Sequence, residues 1–177
     1  KEMGSGTFNM VLDNTCSSRI VSPIFQALNG SNIQQRNSFL LNKLGKKVFS
    51  EKFTLADKPH WKGMSGSRYF DGDGIATKPM DIIRNGKVET YFINTYSANK
   101  MGVSPTVESA SVPHFSLEEF PDNMRNLNHC DMMKLMGKGI LVTGFNGGNC
   151  NGLTGDFSYG IEGFYFENGS KLKMVPN

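Results

Sequence analysis

At 177 residues, 38% hydrophobic and 20% charged, the chain is long enough to bury about 70% of its unfolded surface around a core of its own. Its 19 basic and 16 acidic residues are interspersed and leave a formal charge of +3, which excludes a nucleic-acid-binding stripe and an acidic tail. Cys16, Cys130 and Cys150 are far apart with no CxxC spacing, which excludes a disulfide scaffold and points to free thiols in the cytoplasm, and no apolar run reaches the roughly 18 to 20 residues of a membrane span.

In chain order, "TFNMVLD" reads as a strand, and "NTCSSRIVSPIFQALNGS" follows with Ile20, Val21, Ile24, Phe25 and Leu28 on one helical stripe. Asn14 or Thr15 is placed to cap that helix, and Gly30 stands just past its end. Pro23 lacks an N–H and clashes one turn back, so either the helix kinks there or a fresh helix starts with Ser22 as N-cap. A second helix is expected in "NSFLLNKLG", from Ser38 to Gly45, and the alternation in "KKVFSEKFTLAD" predicts a strand. "FDGDG" reads as a tight turn, because an EF-hand would need a glutamate at its twelfth position between two helices.

Further on, "DIIRNGKVETYFINTY" and "GFYFENGSKLKMV" flank Asn85-Gly86 and Asn168-Gly169 with β-forming residues, the pattern of hairpins with two-residue type I′ turns. Between them, "MGVSPTVESASVPHFSLEEFPDN" reads as a polar linker, and "HCDMMKLMGKG" as a short helix feeding the buried strand "ILVTGF". The fold class expected is α+β, mainly antiparallel β in sandwich or barrel-like sheets with a few short helices, forming a single domain over 1–177.

No complete active site is visible from these residues. The glycine-rich "GFNGGNCNGLTG" lacks the GK[ST] and the following helix of a phosphate loop, so it reads as tight turns. Cys150 has no cationic or histidine neighbour in sequence to activate its thiol, and His60, His114 and His129 are dispersed. His129 and Cys130 are adjacent, which sends them to different faces of a helix and makes a poor chelate.

Several separated stretches, "KLGKKVFSEKFTLAD", "FDGDGIAT", "RNGKVETYFINTYSANKMG" and "GILVTGFNGGNCNGLTGDFSYGIEGFYFENG", together resemble the C-terminal domain of the TldD/PmbA family, in its PmbA (TldE) branch. The resemblance implies a preceding α/β domain that is not in this chain. It also implies a metallopeptidase assembly acting on unstructured peptides, of the kind called modulator of DNA gyrase. In the active branch the first helix carries HExxxH, with zinc on its histidines. Matched through "ALNGS", those positions are held here by Val21, Ser22 and Gln26, and no HExxxH occurs anywhere in the chain.

The resemblance therefore implies no catalytic and no metal-binding residue in this chain. It places zinc on a TldD-type partner subunit, and the active branch's third ligand, a cysteine, beyond the matched segment. A homo- or hetero-oligomer handling unstructured peptide is expected, without direct contact to nucleic acid or membrane. Asp71, Asp73, Tyr96, Lys100, Asp156 and Ser158 lie in the family-like motifs and are the candidates for peptide or interface contacts. The alternatives are a self-contained hydrolase using Cys150 or a serine, and a peptide-binding module without a peptidase partner.

Overall fold

The computed structural model describes residues 5–117 and 120–175, so Glu118 and Glu119 of the predicted linker lie outside the described residues. Thirteen elements follow one another among the described residues: β1 (Asn9–Leu12), α1 (Ser17–Leu28), α2 (Gly30–Gln34), β2 (Leu55–Asp57), β3 (Met80–Arg84), β4 (Lys87–Val88), α3 (Thr95–Met101), β5 (Pro113–Phe115), α4 (Asp122–Arg125), α5 (His129–Met136), β6 (Lys138–Cys150), β7 (Phe157–Glu167) and β8 (Ser170–Met174). They make two four-stranded, mostly antiparallel sheets, and the class is α+β. No helix among the described residues is long and apolar enough to cross a membrane.

The chain divides into two compact units, with the boundary inside α1 between Pro23 and Ile24. Unit 1 takes the chain up to Pro23, Asp122–Asn151 and the chain from Gly155 onward. Its sheet has the order β1-β6-β7-β8, in which β1 runs parallel to β6 and the other neighbours are antiparallel. Val11 of β1, Leu141 of β6, Phe166 of β7 and Met133 of α5 form a buried cluster, which seats the helix against the sheet. The turn from β7 to β8 places Asn168 at φ 49° and Gly169 at φ 83°, the left-handed pair a type I′ hairpin requires.

Unit 2 spans Ile24–Pro121 with Gly152–Thr154, and its sheet has the antiparallel order β4-β3-β2-β5. The Asn85-Gly86 turn closes β3 onto β4 with φ values of 49° and 77°. A Cβ on Gly86 would stand 2.2 Å from the Phe49 carbonyl oxygen, so the turn excludes any other residue. Asp57, buried at the end of β2, accepts from the N–H groups of Ser111 (2.9 Å) and Val112 (2.6 Å), which precede β5.

Several expectations from the sequence are corrected. α1 runs through Pro23 unbroken, so no new helix begins at Ser22. Gly30 stands just past the end of α1, as expected, and also opens α2, which Asn29 caps by accepting from Ser31 N–H. The predicted Ser38–Gly45 helix is instead a series of turns. Ser38 donates to the Ala27 carbonyl at 2.6 Å, Asn42 sits at φ 59°, and the buried Tyr91 hydroxyl accepts from Lys43 and Leu44 N–H while donating to Leu40 O. Lys43 N–H also closes a turn onto Leu40 O at 3.0 Å, and neither amide reaches the carbonyl four residues back that an α-helix would use. Of the predicted strand over "KKVFSEKFTLAD" only Leu55–Asp57 pairs as a strand, with Lys47 making a single bridge to Lys87.

Candidate functional site

Within α1, the three positions singled out by the sequence differ in exposure: Val21 is buried, whereas Ser22 and Gln26 are exposed. Valine's hydrocarbon has no lone pair, the serine hydroxyl is protonated at neutral pH, and the glutamine amide is a neutral oxygen donor. A zinc site of nitrogen and sulfur donors is therefore not available there. Among the described residues no group of three or more His, Cys, Asp or Glu side chains is arranged to hold a metal ion.

The "FDGDG" segment is a tight turn built around a buried carboxylate. Asp71 Oδ1 accepts from Asp73 N–H (3.0 Å) and Ile75 N–H (2.9 Å), and Oδ2 accepts from Glu108 N–H (3.0 Å). Asp73 is exposed, and its Oδ2 accepts from Thr95 N–H at the start of α3 at 2.7 Å. Those hydrogen bonds from Thr95 hold its carboxyl below the ordinary aspartate value. Tyr96, the second residue of the same helix, is exposed, and Lys100 Nζ lies 5.5 Å from the centre of its ring. Asp71, Asp73 and the start of α3 are thus joined by backbone hydrogen bonds in unit 2. Asp71 faces inward and holds a turn, whereas Asp73, Tyr96 and Lys100 are open to solvent.

Asp156 and Ser158 belong to unit 1 and are exposed. They flank the tip of the β6–β7 hairpin, where Asn151 N–H donates to Asp156 O at 2.8 Å and Ser158 pairs with Asn149. The glycine-rich stretch read as tight turns is the far half of β6 as far as Cys150, irregular between Val142 and Gly144 and between Asn146 and Asn149, and a turn over 152–154, where Gly155 N–H donates to Asn151 O at 2.8 Å. Gly148 sits at φ 99°, and a Cβ there would fall 2.1 Å from the Tyr159 ring. Tyr159 in turn lies against Phe145 (5.5 Å) and Phe157 (5.6 Å), while Arg19 of α1 sits 5.3 Å from its ring centre and donates to Gly147 O at 3.1 Å. The sequence reading passed over this Arg19–Tyr159 cluster, although the alternating aromatics at 157 and 159 were its signal.

All three cysteines are free. Cys150 is half-buried and occupies the last ladder position of β6, opposite Phe157. Cys16 donates to Asp13 O at 3.2 Å, and burial, followed by the Asp13 charge, pushes its thiol up from the ordinary value. Of the histidines, His60 is bonded to Thr77 Oγ1, His129 lies 3.7 Å from Asp13 Oδ2, and His114 packs edge-on to Trp61. The described contacts give no cysteine a histidine partner.

Residues 5–177, nearly the whole chain, match the family model described as the PmbA/TldA metallopeptidase C-terminal domain. The chain belongs to the PmbA/TldD family. It is 33% identical over 156 residues to a Haemophilus influenzae protein named metalloprotease PmbA homolog, covering 88% of this chain and 34% of that protein. It is 29% identical over 160 residues to Escherichia coli metalloprotease PmbA, covering 90% and 34% respectively. A crystal structure from Bacteroides thetaiotaomicron, of a protein described as a candidate modulator of DNA gyrase, superposes with a TM-score of 0.91 at 50% identity, covering 99% of this chain and 38% of that one. This PmbA/TldD chain therefore spans about a third of the length of the curated relatives it matches. The relatives' names imply a metal in the family, and the donors at Val21, Ser22 and Gln26 do not fit one.

Proposed function

We propose that this chain is part of a non-catalytic PmbA-type subunit that assembles with a zinc-bearing TldD-type subunit into a cytoplasmic peptidase for unstructured peptides. The observation that carries this reading is the donor set of α1. An aliphatic side chain, a hydroxyl and a neutral amide stand where the resemblance puts two histidines and a glutamate, so neither metal binding nor water activation is available there. In this reading the chain contributes walls and strand edges. β8 forms one edge of the unit 1 sheet with all five residues exposed, and backbone pairing at such an edge holds an extended peptide with little demand on its sequence.

The zinc-free subunit's part in the mechanism is then to bind and orient. The turn anchored by Asp71 sets Asp73 against the start of α3 and presents Tyr96 and Lys100 to solvent, while the β6–β7 tip presents Asp156 and Ser158. These five exposed side chains are proposed as peptide or partner contacts. The test is hydrolysis of an unstructured peptide by the full-length protein alone, by an HExxxH-bearing family member alone, and by the two mixed. The reading expects activity that depends on the HExxxH subunit and rises on mixing. Cleavage by this protein alone in excess chelator would reject it.

A further inference from the structure

Residues 58–78 of unit 2 hold a cleft of about 600 Å³ that the reading above does not use, lined by Pro59, His60, Lys62, Ser67, Arg68 and Tyr69 among others. The cleft is open to solvent, with His60, Lys62, Ser67 and Tyr69 exposed and Pro59 buried at its floor. The walls are fixed by hydrogen bonds. Arg68 N–H and the Ser67 hydroxyl both donate to Pro59 O, at 2.9 and 2.8 Å, and Thr77 N–H donates to Tyr69 O at 2.9 Å. The Thr77 hydroxyl donates to Arg68 O, which leaves its lone pair to accept from His60 Nε2 at 3.1 Å and fixes that ring. His60 then lies 4.9 Å from the ring of Tyr69, which is 76% exposed. An aromatic ring left in water offers a contact surface to an apolar neighbour.

The charge of the cleft is one-sided. No carboxylate is among its lining residues. The Arg68 guanidinium is balanced by Glu108 at 3.2 Å and tied to Ser109 and Ser111, whereas Lys62 has no ion pair or hydrogen bond among the described residues. Of the backbone amides that line the cleft, those of Ser67 and Arg68 donate to the Met64 and Pro59 carbonyls. One uncompensated ammonium in a cleft that also carries an exposed aromatic ring suits a single carboxylate attached to an apolar neighbour.

We propose that this cleft binds a carboxylate of an unstructured peptide, paired with Lys62 while the adjoining residue lies on the Tyr69 ring. The carboxylate can come from an acidic side chain or from the peptide's C-terminus. The proposal rests on the peptide reading above and is tested by binding rather than cleavage. Three fluorescein-labelled Gly/Ser peptides would be titrated into the full-length protein and followed by anisotropy: one with a central Phe-Glu and an amidated end, one with Phe-Gln and an amidated end, and one with Phe-Gln at a free C-terminus.

For an exposed pair the carboxylate advantage is about two- to fivefold. Whichever carboxylate peptide shows it over the amidated Phe-Gln peptide identifies the source. Lys62→Met, at an exposed position, removes that advantage and leaves the Phe-Gln peptide unchanged, whereas Tyr69→Ser weakens all three. Equal binding of all peptides overturns the proposal, as does an advantage that survives Lys62→Met. Stronger competition by a DNA duplex than by the Phe-Glu peptide overturns it in favour of phosphate. Absence of peptide binding while the mixed subunits still cleave peptides overturns the cleft and leaves the subunit reading standing. Lys62-dependent binding without cleavage on mixing does the reverse.

Discussion

Replacing Asp71 by Ala separates its two readings, contact residue and structural anchor. The carboxylate is 5% exposed and accepts three backbone N–H groups, from Asp73, Ile75 and Glu108, at 2.9 to 3.0 Å. Hydrogen bonds to a charged acceptor contribute about 1.5 to 3 kcal/mol each, and water entering at the exposed Gly72 and Gly74 recovers part of that loss. A net local destabilisation of about 3 kcal/mol is expected, roughly a hundredfold in the population of the open turn. Asp71→Asn, which turns an amide NH₂ toward one of these donors, is expected to lose about 1 to 3 kcal/mol.

The assay is amide hydrogen exchange with mass spectrometry on the full-length protein, in peptides covering residues 69–76 and 106–110. Exchange in both is expected to rise by about two orders of magnitude in Asp71→Ala, while peptides from unit 1 stay unchanged. Unchanged exchange combined with a large loss of peptide binding would refute the anchoring argument and make Asp71 a contact residue.

Gly148→Ala is expected to displace the Tyr159 ring, because the new Cβ falls 2.1 Å from it at a φ of 99°; a crystal structure of the variant with Tyr159 and Arg19 unmoved would contradict this. Asp73, held below the ordinary aspartate value by Thr95, contributes stability present above the unfolded value of about 3.9 and lost as pH falls through its lower folded value. NMR titration of the Asp73 carboxyl is therefore expected to give a midpoint below about 3.9, and a midpoint at or above it would refute the Thr95 contact. Iodoacetamide at mildly alkaline pH is expected to label the exposed Cys130 first and Cys16, whose thiol is pushed up by burial, last. Cys150→Ser is expected to leave the mixed-subunit activity within a few-fold, and a loss of about a hundredfold with assembly intact would revive the nucleophile alternative.

What could be read from the sequence was local. The two Asn-Gly hairpins were legible because left-handed φ at successive residues is a demand few pairs meet. The helix over His129–Met136 was legible from its pattern and its terminal glycine. The misread stretches were decided by distant partners. Tyr91, some fifty residues away, takes the amides that a helix at 38–45 would need, and the parallel pairing of Asn9 with Gly139 has no local signature. The glycines of β6 looked like a loop because a bulged strand uses the same permissive residues as a turn. Neither the inward turn of Asp71 nor the placing of Lys62 and Tyr69 on one cleft follows from spacing. The first depends on Glu108 and the second on the bond from Arg68 to Pro59.

The central claim is that this chain lacks the means to hold a catalytic metal. Elemental analysis of the purified full-length protein, after dialysis against zinc-containing buffer and removal of free metal, tests it most directly, alongside an HExxxH-bearing family member treated identically. The account predicts far less than one zinc per chain here and about one in the HExxxH protein. One tightly held zinc per chain in this protein, retained in a variant carrying Ser22→Ala and Gln26→Ala and accompanied by peptide hydrolysis without a partner, would contradict it.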